Sequence, residues 1–159
     1  MRPTQQTRPR CTVRRERGIA MVEFAVGTPL IFLLLYAICE FGNVYAQYST
    51  LADASRSADR YLASNALLGS TGVVNLSGTL VQAAQNLAVF GNIVGNGAPV
   101  LPGLTTGEVT IAVDASNNVS VAVAYPYQSL FGGTLPDFID SGSTNTNFTL
   151  TVYTSMVAL

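Results

Sequence analysis

The sequence predicts an α+β protein: a long N-terminal membrane-spanning helix continuing into a small head with a second helix and a short antiparallel sheet. Three observations predict this. Residues 19–39 form an almost unbroken apolar run, residues 41–55 repeat apolar positions at spacings of three and four, and residues 109–125 change to a period of two. A length of 159 residues suits one small domain with an extra segment, and 48% hydrophobic against 11% charged residues is apolar-rich and charge-poor for a soluble domain.

The net charge of −1 hides a strong polarity along the chain. Residues 1–18 hold six arginines, among them Arg14, Arg15 and Arg17, against the single acid Glu16; the remainder holds only Arg56 and Arg60 against eight acids. Between these halves, the uncharged stretch Phe24 to Cys39 is about 24 Å long as a helix, and Ile19 to Cys39 about 31 Å, which matches a hydrocarbon core of roughly 30 Å. The basic flank holds the amino terminus in the cytoplasm and sends the rest outward, so Arg14, Arg15 and Arg17 are read as topogenic.

Hydropathy alone leaves three mature chains open. A secretory signal peptide would be cut after Val44-Tyr45-Ala46, but the apolar region is longer than the usual one and Glu40 interrupts the approach to that site. Arg14-Arg15 lacks the apolar residues expected after a twin-arginine signal. An uncleaved single-pass anchor carrying a binding module is the plainest alternative. Against it stands Glu23, because an acidic side chain deep in a membrane helix costs about 2.5–3.5 kcal/mol on insertion scales and asks for a partner. Cleavage after Gly18 would supply one, an α-ammonium on Ile19. Glu23 lies about 6 Å along the helix from that terminus, which suits pairing with a neighbouring, axially staggered helix.

The stretch Arg17-Gly18-Ile19-Ala20-Met21-Val22-Glu23-Phe24-Ala25, followed by Pro29, a leucine-rich run and Glu40-Phe41-Gly42, resembles the TadE-like proteins, minor pseudopilins of the tight-adherence (Tad, Flp-type) pilus machinery. The resemblance covers roughly residues 18–48. It implies a leader cut by a prepilin peptidase between Gly18 and Ile19, with Glu23 and Phe24 serving peptidase recognition and assembly. It also implies a bacterial inner-membrane protein, cytoplasmic at its amino terminus, whose partners are the peptidase and other pilin or pseudopilin subunits, and which enters a pilus or helps to build one. The expected organisation is a basic leader over 1–18, a transmembrane helix over 19–40, an amphipathic extension over 41–62 and an extracytoplasmic head over 63–159.

Beyond the apolar run, Phe41, Val44, Tyr45, Tyr48, Leu51, Ala52 and Ser55 fall on one stripe, with Asn43, Gln47, Asp53, Arg56 and Arg60 largely off it, and the helix is expected to reach about Leu62. Tyr36, Tyr45 and Tyr48 either sit at the membrane boundary or pack on the head. Asn65 to Ser77 reads as a loop. A second helix follows, with a capping-box spacing from Thr79 to Gln82, a face of Leu80, Ala84 and Leu87, and a stop at Gly91. Gly91 to Gly107, with five glycines and two prolines, reads as a flexible surface connection. Val109, Ile111 and Val113 and then Val119, Val121, Val123 and Tyr125 alternate around a turn at 114–118, and Phe148, Leu150 and Val152 supply a third strand.

Catalysis finds little material here. The chain has no lysine and no histidine, which removes a lysine nucleophile, a histidine base and imidazole metal ligation. Cys11 and Cys39 fall on opposite sides of the apolar run and cannot pair within one chain, nor do two cysteines make a zinc site. Asp137 and Asp140 fit no EF-hand loop and read as a solvated acidic loop. The only basic cluster lacks interleaved aromatics, so nucleic acid is not expected as a partner. The chain is therefore expected to be no enzyme, to need no cofactor or metal and to take no small-molecule substrate; it would be the substrate of the peptidase, never a catalyst.

Overall fold

A helix forms from residue 13 onward because nothing breaks it. Alanine and leucine, both good helix formers, are its commonest residues, and Pro29 is the only internal proline. The computed structural model describes residues 13–67, 74–136, 143–145 and 147–158. Helix α1 spans Val13–Asn65, three residues beyond the expected end. At Pro29 the missing N–H removes one rung of the ladder, and the neighbouring Thr28 Oγ1 donates to the Phe24 carbonyl at 2.6 Å. The chain divides into two units, Met1–Cys39 and Glu40–Leu159.

In the first unit the described side chains form no core. Ile19, Met21, Val22, Phe24, Val26, Leu30 and Phe32 are each more than half exposed. An 18-residue window here has a mean hydropathy of 2.1 and none of it is buried, so α1 is long and apolar enough to cross a membrane.

In the second unit the part of α1 from Glu40 onward packs its inner face, Leu51, Ala52, Ser55, Ala58, Asp59 and Leu62, into the core. Of the expected stripe, Val44, Leu51, Ala52 and Ser55 turn inward, but Phe41, Tyr45 and Tyr48 stay exposed. Helix α2 spans Gly78–Phe90 and buries Ala84, Ala88 and Val89. Its cap is Ser77, two residues before the expected Thr79: Ser77 Oγ accepts from the Leu80 N–H at 3.3 Å, the distance of the third helical residue from the cap. Gly91 ends α2 in the left-handed conformation (φ 70°), its N–H bonded to the Leu87 carbonyl at 3.0 Å.

The connection from Gly91 to Gly107 is tied down rather than loose. Asn92 Oδ1 accepts from the N–H groups of Gly95 and Asn96, Val100 N–H bonds the Val89 carbonyl, and Leu101 and Leu104 are buried. After a short 3-10 turn at Thr106–Glu108 come β1 (Val109–Val113) and β2 (Asn118–Pro126), paired antiparallel from Val109↔Val123 to Val113↔Val119. Asn117 closes the turn between them at φ 59°, a conformation asparagine tolerates better than most residues.

A two-stranded ribbon of β3 (Thr134–Pro136) and β4 (Ser143–Asn145), not anticipated from the sequence, precedes β5 (Thr149–Val157). The expected loop acids Asp137 and Asp140 lie outside the described residues. Strand β5 joins the other side of β2, from Asn118↔Val157 to Pro126↔Thr149, giving the order β1-β2-β5. Val119, Val121, Val123, Tyr125, Leu150 and Val152 line the inner sheet face against the helices. Each such valine or leucine contributes about 1.5–3 kcal/mol by leaving water. The α+β class expected from the sequence is the one observed.

Candidate functional site

Two groups of residues carry chemistry, one in each unit. In the first unit Gly18 lies inside α1, not at its start, and a side chain added there would meet nothing. Ile19, Val22, Glu23 and Val26 recur at spacings of three and four and make one exposed stripe. Glu23 is exposed in its midst, and among the described residues no hydrogen bond or ion pair reaches its carboxylate. Phe24 is 70% exposed beside it. Arg14, Arg15 and Arg17 belong to the first turns of α1. A single carboxylate on an otherwise apolar helix surface can do one thing well, which is to attract a positive group into an apolar setting where the attraction is little screened.

The second group was missed by the sequence reading. Glu40, Asn43 and Gln47 follow one another at spacings of three and four on α1, and all three grip the segment after β2. Tyr127 Oη donates to Glu40 Oε1 at 2.8 Å and accepts from Asn43 Nδ2 at 3.0 Å. The Gln128 carbonyl accepts from Asn43 Nδ2 at 3.0 Å and from Gln47 Nε2 at 2.8 Å. The Tyr127 ring stacks on Phe148 with centroids 4.8 Å apart, which brings in the start of β5. Asn43 and Gln47 lie off the apolar stripe, where polar side chains ordinarily face water. Only their spacing with Glu40 hinted at a second face.

A third feature is Asp59, fully buried on the inner face of α1. Neither carboxylate oxygen has a hydrogen-bond partner among the described residues. Burial pushes its pKa up from the ordinary 3.8; the Thr154 hydroxyl, engaged with Ser55 instead of bonded to the carboxylate, opposes this to a smaller extent. Ser55 Oγ and Thr154 Oγ1 are 2.9 Å apart in the same layer. Near the opposite end of the core, Tyr125 Oη donates to the Pro102 carbonyl at 2.9 Å; burial, with a smaller contribution from the Glu108 charge, pushes its phenol above the usual range.

The groove of about 510 Å³ beside Tyr127, Gln128, Gly133, Asn147 and Phe148 holds no acid, thiol or amine among its lining residues. Among the described residues no cluster of acids or thiols could hold a metal ion.

Residues 18–60, from the first unit into the second, are matched by the family model of the TadE-like protein. Over those residues the chain is similar to the TadE-like family. The TadE-like segment begins at Gly18, takes in Glu23, Phe24 and the Glu40-Asn43-Gln47 face, and stops one residue after Asp59. It leaves α2 and the whole sheet outside the match. No curated protein and no solved structure matches the chain. The match suggests a protein related to the Tad pilus system. The chain's long apolar helix suggests membrane anchoring.

Proposed function

We propose that this TadE-like chain is a minor pseudopilin for assembly of a Tad/Flp-type pilus, matured by prepilin peptidase cleavage between Gly18 and Ile19. The observation that carries the reading is the position of Glu23: the one acid on an exposed apolar helix face, five residues after Gly18, inside the TadE-like match. Cleavage frees the Ile19 amine, and Glu23 of one subunit receives the amine of the next. Phe24 serves recognition by the peptidase and packing against the neighbouring helix.

Arg14, Arg15 and Arg17 hold the amino terminus on the cytoplasmic face of the inner membrane, and the head lies outside the cytoplasm. The organisation that goes with this is a leader over 1–18, a membrane helix over 19–40, an amphipathic extension over 41–62 and a head over 63–159. The partners are the inner membrane, the peptidase and other pilin or pseudopilin subunits. The chain does no catalysis itself.

The test is co-purification from membranes of cells expressing the pilin-type subunits together with this chain. Glu23→Gln should be inserted and cleaved as the unaltered chain is, yet recover those subunits with at least roughly tenfold lower yield, the loss expected when a charge pair in an apolar setting is broken on one side. Recovery at the unaltered level would refute the pairing.

A further inference from the structure

The end of the second unit at which α1 enters it is built the opposite way round from a surface that faces water. Its polar groups are occupied with one another. Glu40 Oε1, Asn43 and Gln47 of α1 bond the Tyr127 hydroxyl and the Gln128 carbonyl, and the Gln128 N–H donates to Gln47 Oε1 at 3.4 Å. The side chains left outside are apolar: Phe41 and Tyr45 on α1, and Leu130 and Phe131 in the segment after β2, are each more than half exposed. Neither 41–52 nor 126–136 contains an acid, a lysine or an arginine. An uncharged apolar patch drawn from two separate stretches of chain marks an interaction surface.

Strand β2 delivers the second stretch to this end. Ser55 Oγ donates to the Val121 carbonyl at 3.5 Å, and Asn43 Nδ2 donates to the Gln128 carbonyl at 3.0 Å, so the chain from 121 to 128 runs back along α1 from residue 55 to residue 43. It then turns at Leu130 and Phe131, and Gly132 and Gly133, at φ 89° and 74°, bring it back into β3. Turns in water are ordinarily made of glycine, asparagine, aspartate and serine. The tip of this one is leucine and phenylalanine.

The distances select a lipid surface as the partner. Asn43 and Gln47 follow Cys39, the end of the apolar run, by four and eight residues, about 6 and 12 Å of helix. The polar interface of a bilayer extends about 5–8 Å beyond the hydrocarbon on each side. Two or three residues past Gln128 reach about 7–10 Å, enough to return Leu130 and Phe131 to the hydrocarbon boundary. Phenolic rings such as that of Tyr45 favour this depth. Backbone that approaches hydrocarbon must also have its polar groups satisfied by protein, as those of Gln128 are by Asn43 and Gln47.

We propose that this end of the second unit seats in the interface of the membrane that α1 spans, with Leu130 and Phe131 entering beside Phe41 and Tyr45. The head is then held at the bilayer by two stretches of chain instead of one, and the bonds of Asn43 and Gln47 to Gln128 keep the two at one level. The inference rests on the reading of α1 as a membrane-spanning helix, and holds whether or not the chain enters a pilus.

The chain contains no tryptophan, so a single introduced indole reports alone. The test places the full chain, highly diluted, in phosphatidylcholine vesicles with and without bromine on the acyl chains. Phe131→Trp exchanges one exposed ring for another; its emission should shift to shorter wavelength and be quenched by bromine about half as strongly as that of Phe32→Trp in the apolar run, or more, as befits a ring at the interface. Tyr153→Trp, on the outward face of the sheet, should stay unquenched with the emission of an indole in water. Phe131→Trp unquenched beside a quenched Phe32→Trp would overturn the seating and leave the spanning helix standing. A shift to shorter wavelength at 131 without quenching would assign the patch to a protein surface, such as a second copy, and would overturn it as well. If Phe32→Trp itself escapes quenching, the spanning helix falls and the seating falls with it.

Discussion

Tyr127 Oη lies 2.8 Å from Glu40 Oε1 and donates to it, which fastens the segment between β2 and β3 to α1 at the first residue of the second unit. Hydrogen bonds to carboxylates outweigh neutral ones. Tyr127→Phe keeps the stack on Phe148 and removes this donor, and should lower the stability of the full chain in detergent by about 1.5–3 kcal/mol in chemical denaturation. A variant as stable as the unaltered chain would show that the bond does not hold the segment.

Asp59 makes stability depend on pH in a definite direction. Its folded pKa is raised, so the folded state binds the proton more tightly than the unfolded chain does. The contribution to stability is fully present below the ordinary carboxylate value of 3.8 and is lost as pH rises through the raised folded value. Asp59→Asn should therefore be more stable than the unaltered chain at neutral pH and should flatten this part of the profile. Equilibrium unfolding across the acid range checks it, and a less stable Asn variant at neutral pH would contradict it.

Both ends of α2 can be tested separately. Ser77→Ala removes the acceptor for the Leu80 N–H and should cost about 1 kcal/mol, whereas Thr79→Ala should cost less. Gly91→Ala should cost about 1–2 kcal/mol through the left-handed backbone alone, since the nearest atom to an added Cβ is Val100 Cγ1 at 3.9 Å. Thermal unfolding of the two caps and the Thr79 control distinguishes these origins.

Tyr125→Phe leaves the Pro102 carbonyl without its donor and should cost about 0.5–1.5 kcal/mol. Protease cleavage within residues 91–107 should rise alongside, because this bond helps to tie that connection to β2. Unchanged proteolysis would place its anchoring in Leu101 and Leu104 instead.

The parts legible in the sequence were those with a repeating period. Val109 to Val113 and Val119 to Tyr125 announce their strands by alternation, and Gly91 its helix end by the want of a side chain at positive φ. The cap of α2 was misplaced because Ser77 and Thr79 both carry capping hydroxyls and only the folded chain chooses between them.

The connection from Gly91 read as loose because Leu101 and Leu104 are two isolated apolar residues among glycines and prolines, a pattern without period that packs all the same. Asn43, Gln47 and Asp59 were illegible for a related reason. A polar residue on a helix does not disclose whether water, a distant loop or the core will receive it. The resemblance to the TadE-like family, in contrast, was legible from Gly18, Glu23 and Phe24, because it lies in linear spacing along the chain and owes nothing to tertiary contacts.

Gly18 should not tolerate bulk if it is the residue before the cut. Gly18→Leu fits the helix, where an added side chain has open space, so the folded chain should persist while processing by the peptidase falls by an order of magnitude or more. Immunoblots resolving precursor from mature chain would show it, and full processing of the variant would refute the assigned site.

The most direct test of the account is the amino-terminal sequence and intact mass of the chain recovered from membranes of cells that express the prepilin peptidase. The account predicts a chain beginning at Ile19 with an unblocked amine available to Glu23 of a neighbour. A chain beginning at Met1, or one beginning at Gln47 and lacking the apolar helix, would contradict it.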